Sequence, residues 1–249
     1  MIERRYTFAG IPLLTLAEAS GSRPAVLFYH GLHSSKETHR KELESLAARG
    51  FLAVGVDAVG HGERAIADLS QFLNRGELLP QVAKLLGPSV AEVPLLVDHF
   101  SSDSYGPVGL AGISFGGMIA FGAAARESRL RAVVAILGDP TWYQTQLKAF
   151  ANTPLFAWNG GRDQHVDPKG ARELIAALKR EYPTGDFAYR EYPRSDHFME
   201  PDDWNDGWRA TLDWLDRYLR RKLAIHVAQN KNGPRLHAGR SNLLSETTR

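Results

Sequence analysis

Val108-Gly109-Leu110-Ala111-Gly112-Ile113-Ser114-Phe115-Gly116-Gly117 decides how this chain is read. Residues 108–113 are an apolar run of strand length, and 116–125 continue with small residues that suit a closely packed helix. Between them stands Gly112-x-Ser114-x-Gly116. A strand that passes into a helix through so tight a turn needs glycine on both sides of its central residue, because neighbouring backbone comes too close for a Cβ. The same turn lifts the Ser114 hydroxyl clear of the sheet, above the helix N-terminus. Ser114 is therefore read as a nucleophile rather than as an ordinary turn serine.

A serine hydroxyl attacks only when a base removes its proton, and the base needs a carboxylate to orient it. The chain supplies both in the order Ser, Asp, His. Asp163 lies in Asn159-Gly160-Gly161-Arg162-Asp163-Gln164-His165-Val166, after the apolar run 155–158. Asp139 and Asp167 are its rivals, but Asp167 stands before Pro168 and reads better as a helix cap. His197, in Arg194-Ser195-Asp196-His197-Phe198, follows the run 187–192. Of the competing histidines His30, His33, His61, His99 and His165, none lies where that chain order places the base. An acyl-transfer site also needs oxyanion donors. The natural ones are the N–H of Leu32, in His30-Gly31-Leu32-His33 after the run 25–29, and the N–H of Phe115. Asp57-Ala58-Val59-Gly60-His61-Gly62 shapes a turn, and no second and third ligand accompany His61 at metal spacing.

From Ala25 onward, short apolar runs alternate with segments of helical spacing, which predicts an α/β chain with a parallel sheet covered on both faces. Helices are expected over 36–49, 116–125, 168–180 and 201–220, and a hairpin is expected to turn near Ala9-Gly10. In such a sheet the loops at the carboxyl ends of the strands converge, which brings Ser114, Asp163 and His197 together. Two stretches break the rhythm. Residues 63–100 hold helical pieces without a strand and read as a small helical insertion over the sheet edge. Residues 138–149 carry Trp142-Tyr143 and read either as a pocket wall or as a surface connection pinned by aromatics. The hydrolytic domain is set at 1–222. Residues 223–249 have no sustained apolar period and read as a flexible or non-native tail.

Composition narrows the function. The chain has 249 residues, enough for one large core, and its 43% hydrophobic and 23% charged content excludes collagen-like and largely disordered classes. Thirty Lys and Arg against 28 Asp and Glu leave +2, with no excess of the kind that marks a nucleic-acid partner. No run approaches a membrane span. With no cysteine, disulfide scaffolds, thiol nucleophiles and thiolate zinc sites are excluded, and the composition fits the cytoplasm. Arg4-Arg5 followed by Ile11-Pro12-Leu13-Leu14 imitates a signal peptide, but Glu3, Pro12 and Thr15 interrupt the pattern.

The set Tyr29-His30-Gly31-Leu32-His33-Ser34-Ser35-Lys36-Glu37, Asp57-x-x-Gly60-His61-Gly62, Gly112-x-Ser114-x-Gly116-Gly117 and Gly160-x-x-Asp163-x-x-Val166 resembles the α/β-hydrolases from about residue 5 to 220. Within that superfamily it is similar to small bacterial carboxylesterases of the prolyl-oligopeptidase-like and dienelactone-hydrolase-like branch. The resemblance implies a mostly parallel eight-stranded sheet and cofactor-free, metal-free hydrolysis of a small-molecule carboxylic ester. Ser114 argues against relatives that use aspartate at this position and against dienelactone hydrolases proper, which use cysteine. Asp167 stands where the family often has proline, and Ser195-Asp196 replaces a common glycine. The expected site is Ser114, Asp163 and His197, with Leu32 and Phe115 amides for the oxyanion and His33, Trp142 and Tyr143 around the substrate. A thioesterase, a small peptidase and a catalytically silent ligand-binding relative are the alternatives.

Overall fold

In the computed structural model, which describes residues 1–75, 77–101 and 106–220, the strands form one eight-stranded sheet in the order β1-β2-β4-β3-β5-β6-β7-β8. They are β1 (Ile2–Phe8), β2 (Ile11–Ala17), β3 (Ala25–Tyr29), β4 (Leu52–Val56), β5 (Val108–Ile113), β6 (Ala132–Ile136), β7 (Leu155–Gly160) and β8 (Phe187–Tyr192). The first two form an antiparallel hairpin, and the other six run parallel. The hairpin turns through Ala9 and Gly10 at φ 49° and 81°, the two left-handed residues that a two-residue turn needs to match strand twist. The expected 223–249 tail lies outside the described residues.

Strands β3 and β6 are buried along their whole length, which is why they read as unbroken apolar runs rather than alternating ones. Successive side chains enter opposite layers. Leu27, Tyr29, Val54 and Leu110 pack on one face with α3 (Leu78–Phe100), α4 (Phe115–Arg126) and α6 (Pro168–Glu181). Val26, Phe28, Ala53 and Ala111 pack on the other with α1 (Arg40–Ala48) and α7 (Pro201–Leu219). Two short helices, α2 (Leu69–Leu73) and α5 (Leu147–Phe150), complete the set.

Two expected segments differ. The stretch 63–100 is mostly α3, the crossover helix from β4 to β5. Val82, Leu85, Val90, Val93 and Val97 on α3 are buried in the core, so it is a layer of the fold rather than an insertion over its edge. Helix α1 begins at Arg40 rather than Lys36. The physical reason is electrostatic: the Lys36 ammonium turns inward and meets the buried Asp57 carboxylate at 2.9 Å, which a solvated first helical turn would not allow.

Register sets the site. Tyr29 is level with Val56 and Gly112, and Gly160 is level with Tyr192. The loops beginning at His30, Asp57, Ser114, Gly161 and Pro193 therefore leave the same edge of the sheet.

Candidate active site

Ser114 occupies the turn from β5 into α4 with φ 57° and ψ −112°, a strained conformation for a residue with a Cβ. Its neighbours must be glycine. A Cβ at Gly112 would lie 2.2 Å from the Gly116 carbonyl oxygen, and one at Gly116 would lie 2.1 Å from the Tyr29 carbonyl oxygen.

The Ser114 Oγ lies 3.0 Å from His197 Nε2, and His197 Nδ1 lies 2.6 Å from Asp163 Oδ2. A carboxylate only accepts, so Nδ1 carries the imidazole proton and Nε2 is left to receive the one on Ser114. Asp163 is buried, and its other oxygen accepts the amides of His165 at 2.8 Å and Val166 at 2.9 Å. Those bonds hold the carboxylate in place under the ring. The rivals serve elsewhere: Asp167 caps α6 by accepting Lys169 N–H, and Asp139 accepts the Thr141 amide and hydroxyl.

The His197 loop is stitched down by Ser195, which the sequence marks only as a departure from the family pattern. Ser195 is buried, donates to Asp203 Oδ2 at 2.7 Å and accepts the Glu200 amide at 3.0 Å. The Arg162 amide donates to the Ser195 carbonyl, tying this loop to that of Asp163. Phe198 is 80% exposed with its ring edge against His197. A loop residue takes part in no periodic pattern, so only its adjacency to His197 could have marked it.

The Phe115 amide opens α4, where the helix offers it no acceptor. Gly31 sits against Ser114, since a Cβ there would stand 3.5 Å from Ser114 Cβ and 4.0 Å from its Oγ. His30 governs the next peptide. It is 1% exposed, its Nδ1 donates to the Gly31 carbonyl at 2.8 Å, and its Nε2 accepts the Ala58 amide at 3.2 Å. Burial pushes this imidazole down to about 4, so it stays neutral in that tautomer.

Beneath the loops lies Asp57. Burial raises its pKa, but amides of Glu63 and Lys36 and the Lys36 ammonium outweigh that and hold it below the usual carboxylate range. Gly62 is needed here, because a Cβ would fall 2.1 Å from the carboxylate. Arg64 joins the Asp57 carbonyl to a two-pronged pair with Glu92.

Of the expected substrate residues, His33 is exposed at φ 57° beside the site, whereas Tyr143 is a correction. Tyr143 is 3% exposed and packs where a Cβ on Gly122 would lie 2.8 Å from its hydroxyl, with the Arg126 guanidinium 5.5 Å from the ring. Gly122 is eight residues along α4 from Ser114, or about 12 Å at the helical rise, so this ring pins the loop to the core instead of facing Ser114. Trp142 is half-buried against the same cluster. Among the described residues, no group of three or more His, Asp or Glu side chains could hold a metal, and no helix is long and apolar enough to cross a membrane.

Comparison with known proteins agrees with this architecture. Over 260 aligned residues the chain is 24% identical to "Putative esterase YitV" of Bacillus subtilis, covering 86% of this chain and 97% of that protein. It is 29% identical over 154 residues to "Esterase YjfP" of Escherichia coli, covering 59% of this chain and 58% of that one. The solved structure of TT1662 from Thermus thermophilus superposes with a TM-score of 0.68 at 25% identity, covering 87% of this chain and 97% of that one. The family model for the dienelactone hydrolase family matches residues 13–219. By that match, over a sheet whose order and elbow are those of an α/β-hydrolase, the chain belongs to the dienelactone hydrolase family.

Proposed function

We propose that this protein is a serine carboxylesterase that cleaves short- to medium-chain esters through an acyl-enzyme. The observation that carries the reading is the unbroken hydrogen-bonded chain from Ser114 Oγ through His197 to Asp163, at 3.0 and 2.6 Å. As Ser114 Oγ bonds to the ester carbonyl carbon, its proton passes to His197 Nε2. The imidazolium so formed is stabilised by Asp163, whose charge is held by two amides. The carbonyl oxygen, now an anion, is met by the amides of Leu32 and Phe115. Collapse expels the alcohol, which takes the proton from His197, and water then enters by the same path to release the acid and restore Ser114.

The esterase descriptions of YitV and YjfP support this assignment. The substrate is a small-molecule ester, no step calls on a cofactor, and we place the activity in the cytoplasm on the strength of a cysteine-free sequence. The test is covalent: a fluorophosphonate probe should label the intact protein at Ser114, with p-nitrophenyl esters from acetyl to octanoyl turned over. A folded protein that neither labels nor hydrolyses any of these esters would overturn the assignment.

A further inference from the structure

Phe198 follows His197 directly in the chain, and its ring is more exposed than any other large apolar side chain among the described residues. The turn that displays it is clamped from both sides. Its amide donates to Asp196 Oδ1 at 2.8 Å, and the Met199 amide donates to the Asp196 carbonyl at 3.3 Å. Met199, at φ 55°, takes the left-handed conformation and turns its own side chain back into the core. The backbone therefore holds Phe198 out in solvent while its neighbour is buried.

The ring is one of three. Phe198 meets His197 edge-on, with centroids 6.0 Å apart and planes at 89°, and meets His165 with centroids 5.7 Å apart and planes at 80°. His165 and His197 are themselves 5.3 Å apart. His165 is exposed as well, and its amide is one of the two that donate to Asp163. Phe198 and His165 thus form an aromatic ledge fixed to His197 by ring contact and to Asp163 by a hydrogen bond.

The reaction decides which half of an ester meets that ledge. In the tetrahedral adduct on Ser114, the oxyanion turns to the Leu32 and Phe115 amides, and the leaving oxygen turns to His197 Nε2, which must protonate it. The acyl chain takes the remaining direction. The first carbon of the alcohol lies one covalent bond beyond the hydrogen bond to Nε2, about 4 Å from that atom. The alcohol half is therefore the part carried toward His197 and the rings packed on it. Aromatic rings attract one another at centroid separations of about 4.5 to 7 Å, the spacing already present among these three, so a planar aromatic group continues the arrangement where a saturated one only covers it.

We propose that Phe198, together with His165, is the contact surface for the leaving alcohol and makes esters of aromatic alcohols the preferred substrates. The inference rests on the esterase assignment above. Its test uses the intact protein and three acetates, methyl, cyclohexylmethyl and benzyl, each followed by acetate release. All three pass through one acetyl-enzyme, so differences in kcat/KM report the step in which the alcohol is still attached. The wild type should favour benzyl over methyl acetate by about tenfold or more, and over cyclohexylmethyl acetate, of similar size but without a π face, by about three- to tenfold. Phe198→Ala should bring the benzyl-to-cyclohexylmethyl ratio to about one. The ratio of methyl butyrate to methyl acetate, which reads the acyl half, should stay as in the wild type. A wild type that uses benzyl acetate no better than cyclohexylmethyl acetate, a preference that survives Phe198→Ala, or a butyrate-to-acetate ratio that shifts as far as the benzyl ratio overturns the inference while leaving the esterase assignment intact. Failure to hydrolyse any of these esters or p-nitrophenyl acetate overturns both. The wild-type ratios stand as a test even if the variant does not fold.

Discussion

The His30 ring donates to the carbonyl of Gly31, the adjacent residue, at 2.8 Å. That carbonyl and the Leu32 N–H belong to one planar trans peptide, in which the two groups point in opposite directions. Fixing the carbonyl therefore fixes the amide. Because His30 Nε2 is itself held by the Ala58 amide, the loop after β4 sets the orientation of a donor on the loop after β3. His30→Ala should lower kcat by about ten- to a hundredfold with KM little changed, somewhat less than outright loss of an oxyanion donor. Steady-state kinetics on one short-chain ester checks this, and a change confined to KM would remove the positioning role.

Ser114→Ala should abolish fluorophosphonate labelling and lower kcat by roughly 10⁴ to 10⁶, as in other serine hydrolases. Asp163→Asn should lose about 10⁴ because the amide favours the wrong imidazole tautomer. Asp167→Asn keeps a capping side chain and should leave kcat within about twofold, with stability shifted by a few tenths of a kcal/mol at most. Greater damage at Asp167 than at Asp163 would show that the acid is misassigned.

Acid should weaken the fold before it reaches the carboxylates. His30 titrates near 6.5 when unfolded and near 4 when folded, so between those values the unfolded chain binds a proton that the native chain refuses. Stability therefore falls as pH drops through that window, by an amount on the order of 3 kcal/mol at the acid end. His61, also depressed by burial, adds in the same direction. Asp57, depressed as well, contributes stability above its unfolded pKa that is lost at still lower pH. Urea melts of wild type and His30→Gln from pH 7 to 4 should show a shallower slope in the variant, and parallel slopes would contradict this account.

Ser195→Ala removes a buried hydroxyl that both donates to Asp203 and accepts from Glu200. It should destabilise by about 1–2 kcal/mol and lower kcat, since the His197 loop loses its tie to α7. Thermal melting and kinetics on the same preparation separate the two effects.

Tyr143→Ala empties a packed core site beside Gly122 and should destabilise by about 3 kcal/mol while the acyl chain-length profile keeps its shape. A changed profile in the folded variant would return this ring to the substrate site.

The elbow and the alternation of strands and helices were legible in the sequence because both rest on local physics. Glycine flanks Ser114 because no Cβ fits there, and apolar runs mark strands that are buried on both faces. From those two signals followed the edge on which Asp163 and His197 meet Ser114, since parallel strands in register bring their carboxyl ends together. What the tertiary structure alone decided depends on contacts between residues far apart in the chain. Lys36 was indistinguishable from a solvated helix start until Asp57, 21 residues on, supplied the buried partner that draws it inward. Residues 63–100 resembled an insertion because α3 owes its burial to its packing against α4 within the shared core rather than to its own sequence. Tyr143 could face either Ser114 or the core, and only the space over Gly122 settled which. The Phe198 ring likewise gained its meaning only once the fold had left it uncovered against His197, because a sequence records which side chains are apolar and the fold determines which of them stay exposed.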